Sequence, residues 1–170
     1  VPGSGTTGEL ATYDAPATLD GFTLDEAKSV LSKTIAADGT TTLEAYYKRN
    51  VHTVTFSNTY DAAYEGDSAG TYYYEMMITA PSNEPVREGH SFGGWYTDIN
   101  DETTKLVAGE TKVPDGNVTY IAKWNVNTYN VTYFADGVQV DKDTFDYGKE
   151  VTETDVVPTK TGYTFSHWYE

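Results

Sequence analysis

Gly89-His90-Ser91-Phe92-Gly93 spells Gly-x-Ser-x-Gly, the spacing of a nucleophile elbow. In that device a serine stands on a sharp turn between a buried strand and a helix, and a histidine accepts its proton. Neither element is supplied here. Glu84-Pro85-Val86-Arg87-Glu88 comes before the serine and Gly93-Gly94-Trp95 after it, and the only histidine downstream is His167. His167 belongs to a second copy of the same string, in which Thr164 replaces the serine. The match is a coincidence of spacing, and no catalytic residue is assigned.

Three other groups invite a chemical reading. Asp98-Ile99-Asn100-Asp101-Glu102 concentrates the oxygen ligands that calcium prefers, but it lacks the loop glycine and terminal glutamate of a helix-loop-helix site. It reads as a solvated acidic loop. His52, His90 and His167 have no His-x-x-x-His spacing and do not suggest zinc. No metal and no cofactor is assigned. Tyr72-Tyr73-Tyr74 is the candidate ligand-binding group. Alternation puts Tyr72 and Tyr74 on one face of a strand and Tyr73 on the other, so at least one ring is expected in solvent. An exposed ring can stack on a sugar or anchor a partner protein. The plainer reading is a strand covered by a neighbouring repeat or by a long loop. No lysine is flanked in a way that nominates a Lys–Asn crosslink.

Composition narrows the partners. In 170 residues the net charge is −15 with only 11 Lys and Arg, which argues against nucleic acid and against anionic membrane surfaces. No apolar run approaches the roughly 20 residues of a spanning helix, so no membrane insertion is expected in this segment. With no cysteine, disulfide staples and thiolate metal sites are excluded. Fifteen Tyr and many Thr favour strands.

The positioning elements come from a repeat. Pro85-x-x-x-Gly89-x-x-Phe92-x-x-Trp95-Tyr96 returns as Pro158-x-x-x-Gly162-x-x-Phe165-x-x-Trp168-Tyr169, at a constant offset of 73 (162 − 89 and 168 − 95). A second correspondence joins Asp38-Gly39 through Asn50 to Asp115-Gly116 through Asn127, at an offset of 77 (115 − 38). Loop insertions cost little, so both offsets fit one unit with variable loops. Leu43, Ala45 and Tyr47 then match Tyr120, Ala122 and Trp124, and His52, Val54 and Phe56 match Tyr129, Val131 and Tyr133. Both sets alternate with period two, as strands with one buried face do.

Three parts follow: residues 1–50 as the latter part of a first repeat, 51–126 as a complete module, and 127–170 as the opening part of another. The chain is expected to be a slice of a longer protein, cut out of phase with its repeats, and its unpaired edge strands are expected to recruit partners. Within 51–126 strands are expected at Val51–Phe56, Tyr72–Ile78, Ser91–Thr97 and Val118–Trp124. An acidic loop spans Tyr60–Gly70, a connection with room for one helical turn spans Ala80–Arg87, and a variable loop spans Ile99–Gly109. Thr23-Leu24-Asp25-Glu26 is a capping box. Gly21-Phe22-Thr23, however, stands where Gly89-His90-Ser91 and Gly162-Tyr163-Thr164 stand, which favours extended structure through Ser29–Ile35 with at most a turn at Leu24–Lys28. A unit of about 75 residues without disulfides buries little surface alone. Val54, Phe56, Phe92, Trp95, Tyr120 and Trp124 are therefore its expected core.

Thr53-Val54-Thr55-Phe56, the Gly93-Gly94-Trp95-Tyr96-Thr97-Asp98 piece and Val118-Thr119-Tyr120-Ile121-Ala122-Lys123-Trp124 together resemble the Listeria–Bacteroides repeat, the internalin-type B repeat. Residues 1–50 resemble a related unit found beside such repeats and, more loosely, a mucin-binding-type repeat. The resemblance implies a mainly β, α+β fold that is β-grasp-like, in tandem small repeat modules of which the first and last are incomplete here. It also implies an extracellular, wall-attached protein of a Gram-positive or related bacterium. There the repeats serve as non-catalytic stalks or spacers whose partners are adjacent repeats, with a host glycan or protein as the alternative. Ser166-His167 in place of Gly93-Gly94, and the long loop at Asp61–Gly70, depart from the family pattern.

Overall fold

A computed structural model describes residues 3–169. The first fifty residues carry five short strands: β1 (Leu10–Thr12), β2 (Thr18–Leu19), β3 (Phe22–Leu24), β4 (Ser32–Thr34) and β5 (Tyr47–Arg49). They make two small antiparallel sheets, β1-β4 and β2-β3-β5. The capping box at Thr23 nucleates no helix. Lys28 and Ser29 amides donate to the Asp25 carbonyl at 3.1 and 3.0 Å, closing one turn, after which the chain re-enters extended structure. Phe22–Leu24 pairs with β5 and Val30 bridges to Glu44, and that tertiary pairing overrides local helix preference.

The next segment holds β6 (Val51–Ser57), β7 (Gly70–Tyr73), β8 (His90–Tyr96), a 3-10 turn at Glu102–Thr104, and β9 (Val118–Val126). They form one sheet in the order β7-β6-β9-β8, antiparallel except for the central β6-β9 pair. β9 thus lies between two partners and is the strand that closes the unit. Its Tyr120 and Ala122 face the same interior as Val54 and Phe56 of β6 and Trp95 of β8, all buried. Phe56 packs edge-on to Trp95 (5.0 Å between centroids) and stacks on Tyr120 (5.7 Å), while Tyr64 stacks on the other side of Trp95 (5.6 Å). Ile78, Leu106 and Val113, which no alternation pattern marked, complete the core from the loops. Phe92 and Trp124 pack against its edge, only partly buried.

Two details depart from the expected strands. The Tyr72–Ile78 run leaves the sheet after Tyr73. Glu75 takes a left-handed φ of 62°, and its amide and that of Ile78 bond instead to Val113 and Thr111 carbonyls at 3.0 and 2.9 Å. Beyond the bend Ile78 lies in the core at 1 % exposure. At Gly93-Gly94 the β8-β9 register shifts by a bulge. Gly94 has φ 121°, and a Cβ there would lie 2.9 Å from the Lys105 Cε. Ala80–Arg87 contains no helical turn.

The last segment is a hairpin, β10 (Thr128–Ala135) and β11 (Val138–Asp146), turned at Asp136-Gly137 with φ 49° and 79°. Positive φ at both corner residues is the turn that matches the strands' twist. Residues 163–169 hold no strand, although Trp168 packs edge-on to Tyr133 at 5.2 Å.

Candidate binding surface

The tyrosine run divides as alternation requires. Tyr73 stands opposite Val51 across the β6-β7 pair and is 55 % exposed. Val51, Met76 and Met77 are exposed beside it in sequence or register. Tyr72 turns toward the core and donates its hydroxyl to the Ser68 carbonyl, which ties β7 to the acidic loop. That loop is folded over the core. Tyr64 donates to the Asn83 carbonyl at 2.8 Å, Ser68 Oγ to the Thr79 carbonyl at 2.7 Å, and the Ser82 amide to Asp67 at 2.8 Å. The Ser82 hydroxyl, which also donates to Asp67, and then the Ser82 amide hold the Asp67 carboxyl below its ordinary range.

Tyr74 has a different role. The Asn50 amide donates to the Gly21 carbonyl (2.9 Å), and the Tyr74 amide donates to the Asn50 carbonyl (2.8 Å). The Tyr74 ring lies over Gly21, where an added Cβ would come within 2.0 Å of ring carbons, and it meets Phe22 edge-on at 5.8 Å. Asp115 closes the cluster by accepting from the Gly21 amide (3.0 Å), the Asn50 amide group (2.9 Å) and His52 Nε2 (2.8 Å). Asn50, then Gly21, then His52 lower the Asp115 carboxyl. Burial raises the Tyr74 phenol, helped by Asp20 and Glu75.

The arrangement recurs. The Asn127 amide donates to the Gly89 carbonyl (2.9 Å), the Tyr147 amide donates to the Asn127 carbonyl (2.8 Å), and the Tyr147 ring would lie 1.9 Å from a Cβ on Gly89. His90 meets Tyr147 edge-on at 6.2 Å, as Phe22 meets Tyr74. Tyr129, matching His52, packs on Tyr147 at 6.3 Å. The signal for Tyr147 was in the sequence, because Tyr74 and Tyr147 are also 73 apart (147 − 74).

The other chemical candidates are not brought together. Ser91 is exposed inside β8, paired with Asn125, and no strand-turn-helix surrounds it. Asp98 and Asp101 accept from the amides of Asn100 and Thr103, both at 2.9 Å, as turn residues do. Glu102 is bound to Lys123 and to the Tyr96 hydroxyl, and both contacts lower its carboxyl. Among the described residues no His, Asp and Glu group converges as a metal site, and no helix is long and apolar enough to cross a membrane.

A family model described as the Listeria-Bacteroides repeat domain matches residues 52–123 and again 129–170. Internalin H of Listeria monocytogenes serovar 1/2a is 33 % identical over 134 residues, which cover 69 % of this chain and 23 % of that protein. A protein of Evansella cellulosilytica with a provisional description as a membrane protein is 36 % identical over 131 residues, 76 % of this chain and 18 % of its own length. A second from that organism, provisionally described as a Gly-rich membrane protein, is 32 % identical over 149 residues, 81 % of this chain and 15 % of its own. The chain therefore spans less than a quarter of the length of these relatives. None of the matches indicates a catalytic family. The family match falls on both copies of the tryptophan string, and this chain belongs to the Listeria–Bacteroides repeat family.

Proposed function

We propose that the chain is a non-catalytic, extracellular repeat region that acts as a stalk or spacer in an adhesin-like bacterial surface protein. On this reading residues 1–50, 51–126 and 127–170 are successive repeat units, and the protein is attached to the cell wall through segments outside this chain. The observation that carries the reading is Trp95 at 3 % exposure. The tryptophan that distinguishes the motif is used for packing, which supports a structural role for it. The net charge of −15 keeps such modules soluble and apart.

A glycan array and a host-protein pull-down with the intact chain test this. No saturable binding supports the spacer. Saturable binding lost in Tyr73→Ala supports the second reading, a glycan- or host-protein-binding module on Tyr72, Tyr73 and Tyr74. Tyr73 favours that alternative, because its exposed ring stands among exposed Val51, Met76 and Met77.

A further inference from the structure

Glycines with a left-handed φ recur at the start of each aromatic string: Gly21 (71°), Gly89 (67°) and Gly162 (82°). Gly21 and Gly89 carry the same load: an asparagine amide on the carbonyl and a tyrosine ring pressed where a Cβ would be. The asparagine comes from the end of the same segment's sheet, just before β6 or β10, and the tyrosine from the hairpin that follows. The asparagine is therefore bonded on both sides, its amide to one segment and its carbonyl to the next. Nothing lies within 4 Å of a Cβ added to Gly162.

We infer that Gly21–Asn50–Tyr74 and Gly89–Asn127–Tyr147 are two copies of one docking joint, in which the turn glycine of a segment is the socket for the tyrosine of the following hairpin. The joint fixes the angle between consecutive segments. A connection through Asn50 or Asn127 alone would be a single-residue hinge, free to rotate about its φ and ψ. Two backbone hydrogen bonds and a ring seated on a glycine remove that freedom. Glycine is needed twice over, for the left-handed turn and for the space the ring takes. The joint rests on the reading of the chain as tandem units and not on the spacer role, which the binding arrays address separately.

Residual dipolar couplings of the intact chain test the joint. Residues 51–126 and the β10-β11 hairpin of the unaltered protein are expected to share one alignment tensor. Tyr147→Ala removes an exposed ring from outside the core, and the shared tensor is expected to be lost. Tyr147→Phe keeps the ring and is expected to retain it. Gly89→Ala and Gly162→Ala impose the same left-handed strain, but only the first meets a tyrosine, so only the first is expected to separate the tensors. Independent tensors in the unaltered protein, or a shared tensor that survives Tyr147→Ala, would overturn the joint.

Discussion

Trp95 and Trp168 stand at the same place in the same string of residues, yet their surroundings differ. Trp95 is enclosed by Phe56, Tyr64 and Phe92 and is 3 % exposed. Trp168 meets Tyr133 and Phe165 and is only half-buried. The difference is β9. In residues 51–126 this strand lies between β6 and β8, joins them by hydrogen bonds, and adds Tyr120 and Ala122 to the floor under Trp95. In residues 128–169 the hairpin β10-β11 repeats the β6-β7 pair, but no strand joins it to the Phe165–Trp168 string, and Tyr133 is the one buried hydrophobic described there. Among the described residues the Phe165–Trp168 string packs on the hairpin alone. In residues 51–126 the middle strand adds the buried side chains that enclose Trp95.

The comparison breaks most directly at the tryptophans. Trp95→Ala is expected to cost about 3–5 kcal/mol, enough to unfold residues 51–126. Trp168→Ala is expected to cost well under half of that, and chemical denaturation followed by far-UV circular dichroism reads both. A smaller effect is expected at Gly66, where a Cβ would stand 2.7 Å from the Pro81 Cγ and 2.9 Å from the Phe56 Cβ. Gly66→Ala is expected to cost about 1–3 kcal/mol by overpacking, measured in the same way. The loop that carries Gly66 has no folded counterpart over Trp168.

The two joints differ in acid. Asp115 serves only the Gly21–Asn50–Tyr74 joint, with His52 facing it, and its folded carboxyl titrates below the ordinary 3.8. A depressed carboxyl contributes stability above its unfolded value, and that contribution fades as the pH falls through the lower folded value. The first joint is therefore expected to loosen below about pH 3.8. Asp115→Asn is expected to abolish that step, as read by the amide shifts of Gly21 and Asn50 during an acid titration. The smallest effect is expected at Tyr73. Because its ring is exposed, Tyr73→Ala should change stability by no more than about 0.5 kcal/mol, whatever it does to binding.

Much of this architecture was legible in the residues. Val54, Phe56, Trp95 and Tyr120 announced themselves by alternation and by recurrence, and all are buried. Ile78, Leu106 and Val113 did not, since each reaches the core from a loop whose path depends on partners far along the chain. The β7 bend is of the same kind. Glu75 takes its left-handed φ where its own amide and that of Ile78 pair with the Val113 and Thr111 carbonyls, and no local pattern encodes those partners. At Thr23 the capping box suggested a helix, but the match of Gly21 to Gly89 pointed to a strand, and pairing with β5 decided it. Of the candidate tyrosines, alternation separated Tyr73 from its neighbours. It gave no hint that the Tyr74 ring is seated on Gly21, because that contact spans two segments.

Native-state amide hydrogen exchange of the intact chain tests most directly whether the tryptophan strings are interior supports completed by β9. Amides of Tyr120, Ala122 and Trp124 are expected to exchange only when the whole of residues 51–126 unfolds, while amides of residues 163–169 exchange close to the rate of a free peptide. Equal protection of both strings, or faster exchange in β9 than around Trp168, would contradict it.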